Sequence, residues 1–188
     1  MTSDRSHRRR AARALVAAIV VLHAVPALAQ PRVPDREMWG VGGEVGVFLP
    51  QENGFGAGLD LQALAEYYLT PRTSIRAAFG WNDPSVDGGG ASRRTARLTL
   101  DVLYNWEGGR VHPFVGAGFG AYFLQPKIGG RAVGESRQEP GFSLAGGFEY
   151  FTARTFTIKA EARYHAVLAD GPWDMDGLAL TIGFKQYF

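Results

Sequence analysis

From Phe156 to Val167 the chain reads FTIKAEARYHAV, two interleaved halves of different kind. Phe, Ile, Ala, Ala, Tyr and Ala occupy one parity, and Thr, Lys, Glu, Arg, His and Val the other. Successive side chains of a β-strand point to opposite faces, so this run predicts a strand with one apolar and one polar side. The same alternation recurs in eight runs, at residues 38–49, 55–69, 73–81, 95–106, 113–124, 141–151, 156–167 and 176–188. None contains an internal proline or the 3.6-residue apolar spacing of an amphipathic helix. The connections alternate too: "TPR", "EGGRVH" and "TAR" are compact, whereas 82–94, 125–139 and 168–175 are longer, polar and Gly-rich. Short turns at one end and long loops at the other predict an all-β, antiparallel, up-and-down barrel of eight strands.

Residues 1–29 are set apart by composition. Arg5, Arg8, Arg9, Arg10 and Arg13 precede an apolar run that ends at Pro26, and Ala27-Leu28-Ala29 has the small-x-small form of a cleavage site. The expected organisation is a cleaved export signal at 1–29, a short periplasmic lead at 30–37 and one barrel domain at 38–188. The whole chain holds 20 Lys and Arg against 18 Asp and Glu; without residues 1–29 these become 15 and 17. A mature chain of net charge −2 offers no case for a nucleic-acid partner. The absence of cysteine excludes disulfides, thiolate metal sites and a Cys nucleophile.

An alternating barrel is either soluble with an apolar interior or a transmembrane barrel with an apolar exterior. Three features select the second. Aromatics of the apolar parity gather at strand ends, where a membrane places its interfacial belts. Trp39, Tyr104, Trp106, Tyr150, Phe156 and Phe184 fall at the turn end, and Phe79, Trp81 and Tyr164 at the loop end. The polar parity is rich in glycine and nearly charge-balanced, with Glu44, Asp60, Glu66, Asp101, Glu149 and Glu161 against Arg76, Arg97, Lys159, Arg163 and Lys185. Charges confined in a narrow lumen are tolerable only when paired. The chain also ends at Phe188, with Leu180, Ile182 and Phe184 at alternate positions before it and Gln186 as the one polar exception.

The export segment, the "HPFVGAGFGAYF" run, the "YLTPRTSIRAAFGW" hairpin and the "GFKQYF" ending together resemble the small outer-membrane β-barrel superfamily of OmpA/OmpX-like proteins. The resemblance implies a cell-envelope protein in the outer membrane of a Gram-negative-type bacterium. It implies contact with outer-membrane lipids and lipopolysaccharide, and recognition of the C-terminal strand by the barrel insertion machinery. It leaves activity open, because this architecture hosts adhesins, stabilising barrels, porin-like pores and lipid-modifying enzymes.

For chemistry, the candidate pair is Ser143 with His165, which face each other inwards if positions across the "TAR" turn sum to 308; Glu149 then opposes Lys159. Hydroxyl–imidazole hydrogen bonds are ordinary in polar lumens, and the further motif residues of lipid hydrolases are missing, so the reading adopted is no catalysis. Four scattered histidines without HxH or HExxH spacing give no metal site, and no cofactor is implied. The expectation is therefore a monomeric, non-enzymatic barrel with a side-chain-filled lumen and a structural or surface-interaction role. A narrow porin-like conduit and an outer-leaflet lipid-modifying hydrolase stand as alternatives. Binding is expected in the three long loops, with Tyr122, Arg131 and Trp173 as contact candidates.

Overall fold

The computed structural model describes residues 34–86, 89–169 and 175–188. The expected export segment and Trp173 lie outside them. The strands are β1 (Trp39–Pro50), β2 (Gly58–Tyr68), β3 (Thr73–Asn82), β4 (Ala91–Asn105), β5 (Val111–Ile128), β6 (Arg131–Ala132), β7 (Arg137–Ala153), β8 (Phe156–Val167) and β9 (Gly177–Tyr187). All neighbours are antiparallel, β9 pairs back onto β1, and eight staves close the barrel with β6 as a short flap on β5. Closure leaves the staves no bare edge, which is the condition for a sheet to cross a bilayer.

One circuit along directly opposed residues defines the barrel's geometry. Gly40 opposes Glu66, then Arg76, Asp101, Gly118, Ser143, His165 and Gly177 follow in turn, and Gly177 opposes Pro50. The circuit returns to β1 shifted by 50 − 40 = 10 residues. Ten residues of ~3.3 Å rise against eight strands ~4.8 Å apart tilt the strands by about 41° and give a backbone radius of about 8 Å. Such a lumen is filled by the side chains that point into it.

The two parities differ in environment. On β9 Thr181, Lys185 and Tyr187 are buried, whereas Leu180, Ile182 and Phe184 are exposed, Ile182 to 65%. An inward lysine and an outward isoleucine on one strand are the reverse of a soluble barrel and suit a hydrocarbon surround. The first strand and the C-terminal residue meet at the turn end, where Trp39 and Phe188 exchange backbone hydrogen bonds of 2.8 and 3.2 Å.

The strands differ from the sequence expectation at the loop end. β4 and β5 stay paired out to Ala91 and Ile128, and β7 begins at Arg137, so the loop expected at 125–139 is largely sheet and the one expected at 82–94 is shortened by the start of β4 at Ala91. The expected runs stopped at prolines, yet Pro113, Pro126 and Pro140 lie within strands. Their carbonyls still accept, from Trp106, Val133 and Leu168 respectively, so the missing N–H interrupts the ladder only locally. β6 follows from Gly129 and Gly130, both at positive φ, which form a two-residue turn with Ile128 opposite Arg131. β2 starts at Gly58 rather than Phe55, which instead forms a single bridge with Val86.

Candidate functional site: the charged lumen

The inward parity builds a polar column, because every second residue of eight strands converges on one narrow space. Each residue of the charge set expected there is buried: Glu44, Asp60, Glu66, Arg76, Arg97, Asp101, Glu149, Lys159, Glu161, Arg163 and Lys185 are all less than a tenth exposed. Their partners are mostly not their register neighbours. Glu149 opposes Lys159 on the adjacent strand, but Glu149 pairs with Lys185 at 2.6 Å and accepts a hydrogen bond from the Tyr187 hydroxyl. Lys159 instead donates to Glu44 and Glu161.

Longer reaches cross the barrel. Arg76 on β3 donates Nη1 to Glu161 on β8 at 2.7 Å while its Nε holds Glu66 at 3.0 Å. Arg163 donates Nη1 to both Asp101 oxygens at 2.8 Å and Nε to Glu161 at 2.7 Å. Lys185 joins Glu66 at 2.8 Å, and Arg97 joins Asp60 at 2.7 Å. Hydroxyls complete the carboxylates: Ser74 donates to Glu66, Thr181 to Glu44 and Ser143 to Asp101. Ser74 and Thr181 were not singled out from sequence, and their inward parity was the signal that marks them; Ser143 was expected opposite His165 rather than on Asp101. A buried charge is stable only with such multiple partners, since an unpaired one costs several kcal/mol.

Glycine makes room for the column. A Cβ on Gly80 would sit 2.4 Å from Arg97 Nε, and one on Gly118 2.0 Å from Asp101 Oδ1. The inward glycines are therefore the floor against which charged side chains lie.

An apolar cluster lies towards each end of the column. Tyr68, Phe151 and Tyr187 pack with Met38 at the turn end, the Phe151 and Tyr187 rings stacked at 5.5 Å. Phe48, Tyr122, Leu124, Val167, Met175 and Ala179 pack at the loop end. Phe114 lies within the column, 5.0 Å from Lys159 Nζ and 5.2 Å from Arg76 Cζ. Tyr122 is thus not the loop contact expected from sequence. Its inward parity buries it, and its hydroxyl pairs with His165 Nδ1 at 2.9 Å. Arg131 is exposed on β6.

Ser143 and His165 are direct register partners, yet their side chains are engaged elsewhere. Ser143 Oγ donates to Asp101 at 2.9 Å and accepts from Arg163 at 3.2 Å, while His165 binds Tyr122 through Nδ1. With its proton directed at a carboxylate, the serine lacks the imidazole contact of an activated nucleophile. Among the described residues no group of three His, Asp or Glu is placed to hold a metal ion.

The expected interface aromatics project outward at the two rims. Trp39, Phe79, Tyr104, Trp106, Tyr150, Phe184 and Phe188 are exposed, and Trp81, Phe156 and Tyr164 are half-buried. Tyr104 and Trp106 meet edge to face at 4.9 Å, and Phe156 stacks on Phe184 at 6.0 Å.

Comparison with known proteins agrees with this architecture. The profile of the Outer membrane protein beta-barrel domain family matches residues 14–188. No curated protein matches the chain. Among solved structures, the chain is similar to OprG from Pseudomonas aeruginosa (14% identity, TM-score 0.64, covering 82% of this chain and 97% of that one). It is similar to Neisserial surface protein A (14%, 0.63, 80% and 96%). It is also similar to the N-terminal β-barrel domain of Pseudomonas aeruginosa OprF (13%, 0.61, 81% and 98%). At these identities the likeness is one of fold. Taken with the family match, which spans every strand of the barrel, it identifies the chain as a member of the outer membrane protein beta-barrel domain family.

Proposed function

We propose that this outer-membrane barrel is a non-conducting, non-enzymatic monomer whose rigid wall presents its loop end for structural or surface interaction. The observation that carries the reading is the occupied lumen: eleven buried charges joined to one another between two apolar plugs. An ion entering would have to pass rings at either end and displace charges most of which are held by several partners, at a cost of several kcal/mol. The same reading places the loop end outside, the lipid face among outer-membrane lipids and lipopolysaccharide, and the C-terminal strand as the handle for barrel insertion in a Gram-negative-type cell.

The test is single-channel recording from residues 30–188 refolded into planar bilayers, with heat-modifiable gel migration reporting the folded barrel. Folded protein without steady current is the expected result, and discrete reproducible openings would overturn it. One observation favours a narrow conduit as the second reading. In the loop-end half of the lumen, one or two side-chain atoms each of Asp60, Asn82, Thr95, Arg97, Thr99 and His165 have no hydrogen-bond partner among the described residues, which gives that half a polar lining.

A further inference from the structure

The lipid-facing wall is not uniform. Across β9, β1, β2 and β3 one row of directly opposed residues reads Phe184, Gly43, Ala63, Phe79. Two aromatic walls therefore flank a floor of two small residues, and a groove of about 510 Å³ lies there, continuing past Leu61 to Trp81. This volume falls within the ~300–1,000 Å³ range of ligand clefts, and the lining is almost wholly apolar.

Internal packing does not demand the glycine. A Cβ on Gly43 would meet nothing closer than 3.5 Å, whereas on the inward neighbours Gly42 and Gly46 it would come within 2.1 and 1.9 Å of backbone oxygens. The absent side chain at Gly43 deepens the outer surface and nothing else.

At its loop end the groove meets a cation. Arg94 is exposed on the outward parity of β4, with its Cζ 6.0 Å from the Trp81 ring. Among the described residues no carboxylate lies within ion-pair distance of it. A guanidinium held over an interfacial tryptophan stands at headgroup level and matches a phosphate in charge and geometry.

We infer that this groove is a site for one anionic lipid of the loop-end leaflet, one whose phosphate carries no cationic group of its own. An acyl chain lies on Gly43 and Ala63 between Phe184 and Phe79, and the phosphate pairs with Arg94. The inference requires only that the barrel lie in a membrane and is independent of whether the lumen conducts.

The test uses the full mature barrel with Trp81 as sole tryptophan, Trp39, Trp106 and Trp173 being changed to Phe, in phosphatidylcholine vesicles. Brominated phosphatidic acid and brominated phosphatidylcholine are compared as quenchers of its fluorescence. Quenching by the anionic lipid should show about fivefold higher apparent affinity, the factor that one basic side chain supplies at an anionic lipid surface. Arg94→Gln should bring the ratio to about one, and Gly43→Leu, by filling the floor, should weaken quenching by both lipids. Heat-modifiable migration reports that each variant is folded. Equal quenching by the two lipids in the parent, a preference that survives Arg94→Gln, or an equal preference at Trp106 in the corresponding single-tryptophan barrel would overturn the inference.

Discussion

Arg163 on β8 and Asp101 on β4 meet across the lumen, with Nη1 at 2.8 Å from both carboxylate oxygens. Their strands are separated by others in both directions around the barrel, so this pair braces opposite walls as the backbone ladder cannot. Ser143 donates to the same Asp101 oxygen, which ties a third strand into the brace.

Removing one partner of this brace strands a buried charge. Asp101→Ala should lower the unfolding free energy by about 3–5 kcal/mol. Denaturant titration in lipid vesicles, followed by gel migration, would measure it. The apolar double replacement Asp101→Leu with Arg163→Met should recover most of the loss, and a double variant no better than the single one would contradict the account.

The glycines of the two faces should respond oppositely. Gly46→Ala drives a methyl to 1.9 Å from the Leu180 carbonyl oxygen, a backbone atom, and should cost about 1–3 kcal/mol, the range of overpacked sites. Gly43→Ala, with its nearest neighbour at 3.5 Å, should be neutral within about 0.5 kcal/mol. The same titration applied to both variants checks the contrast.

Ser143→Ala separates a structural from a catalytic serine. Loss of its hydrogen bond to a buried carboxylate should cost about 1.5–3 kcal/mol. Incubation with lipopolysaccharide should release no acyl chains from either the parent or the variant, and release by the parent that disappears in the variant would assign the serine to catalysis.

The rim pair Tyr104 and Trp106 should be coupled. Their edge-to-face contact predicts an interaction energy of about 0.5–1.5 kcal/mol in a double-mutant cycle of alanine replacements. Additive effects would show that each ring anchors to the interface independently.

The eight staves, their parities and the 308 register of the β7–β8 hairpin were legible because alternation and a short turn are local properties. Ser143 therefore stood opposite His165 as expected. The β6 flap was also within reach of sequence, since Ile-Gly-Gly-Arg carries a two-residue hairpin turn. Strand length at the loop end was less so, because Pro126 and Pro140 read as stops until Val133 and Leu168, just past the ends of β6 and β8, donate to their carbonyls.

By itself, then, the sequence determined which residues face inwards and that their charges nearly cancel, since parity depends only on the order of residues along one strand. Only the tertiary structure decided who pairs with whom. Lys159 passes over its register neighbour Glu149 for Glu44 and Glu161, and Ser143 turns from His165 to Asp101. The physical reason is the ten-residue stagger on a barrel of small radius. It brings side chains from non-adjacent strands to the same level, where long flexible cations reach the acids that a flat strand-by-strand reading keeps apart.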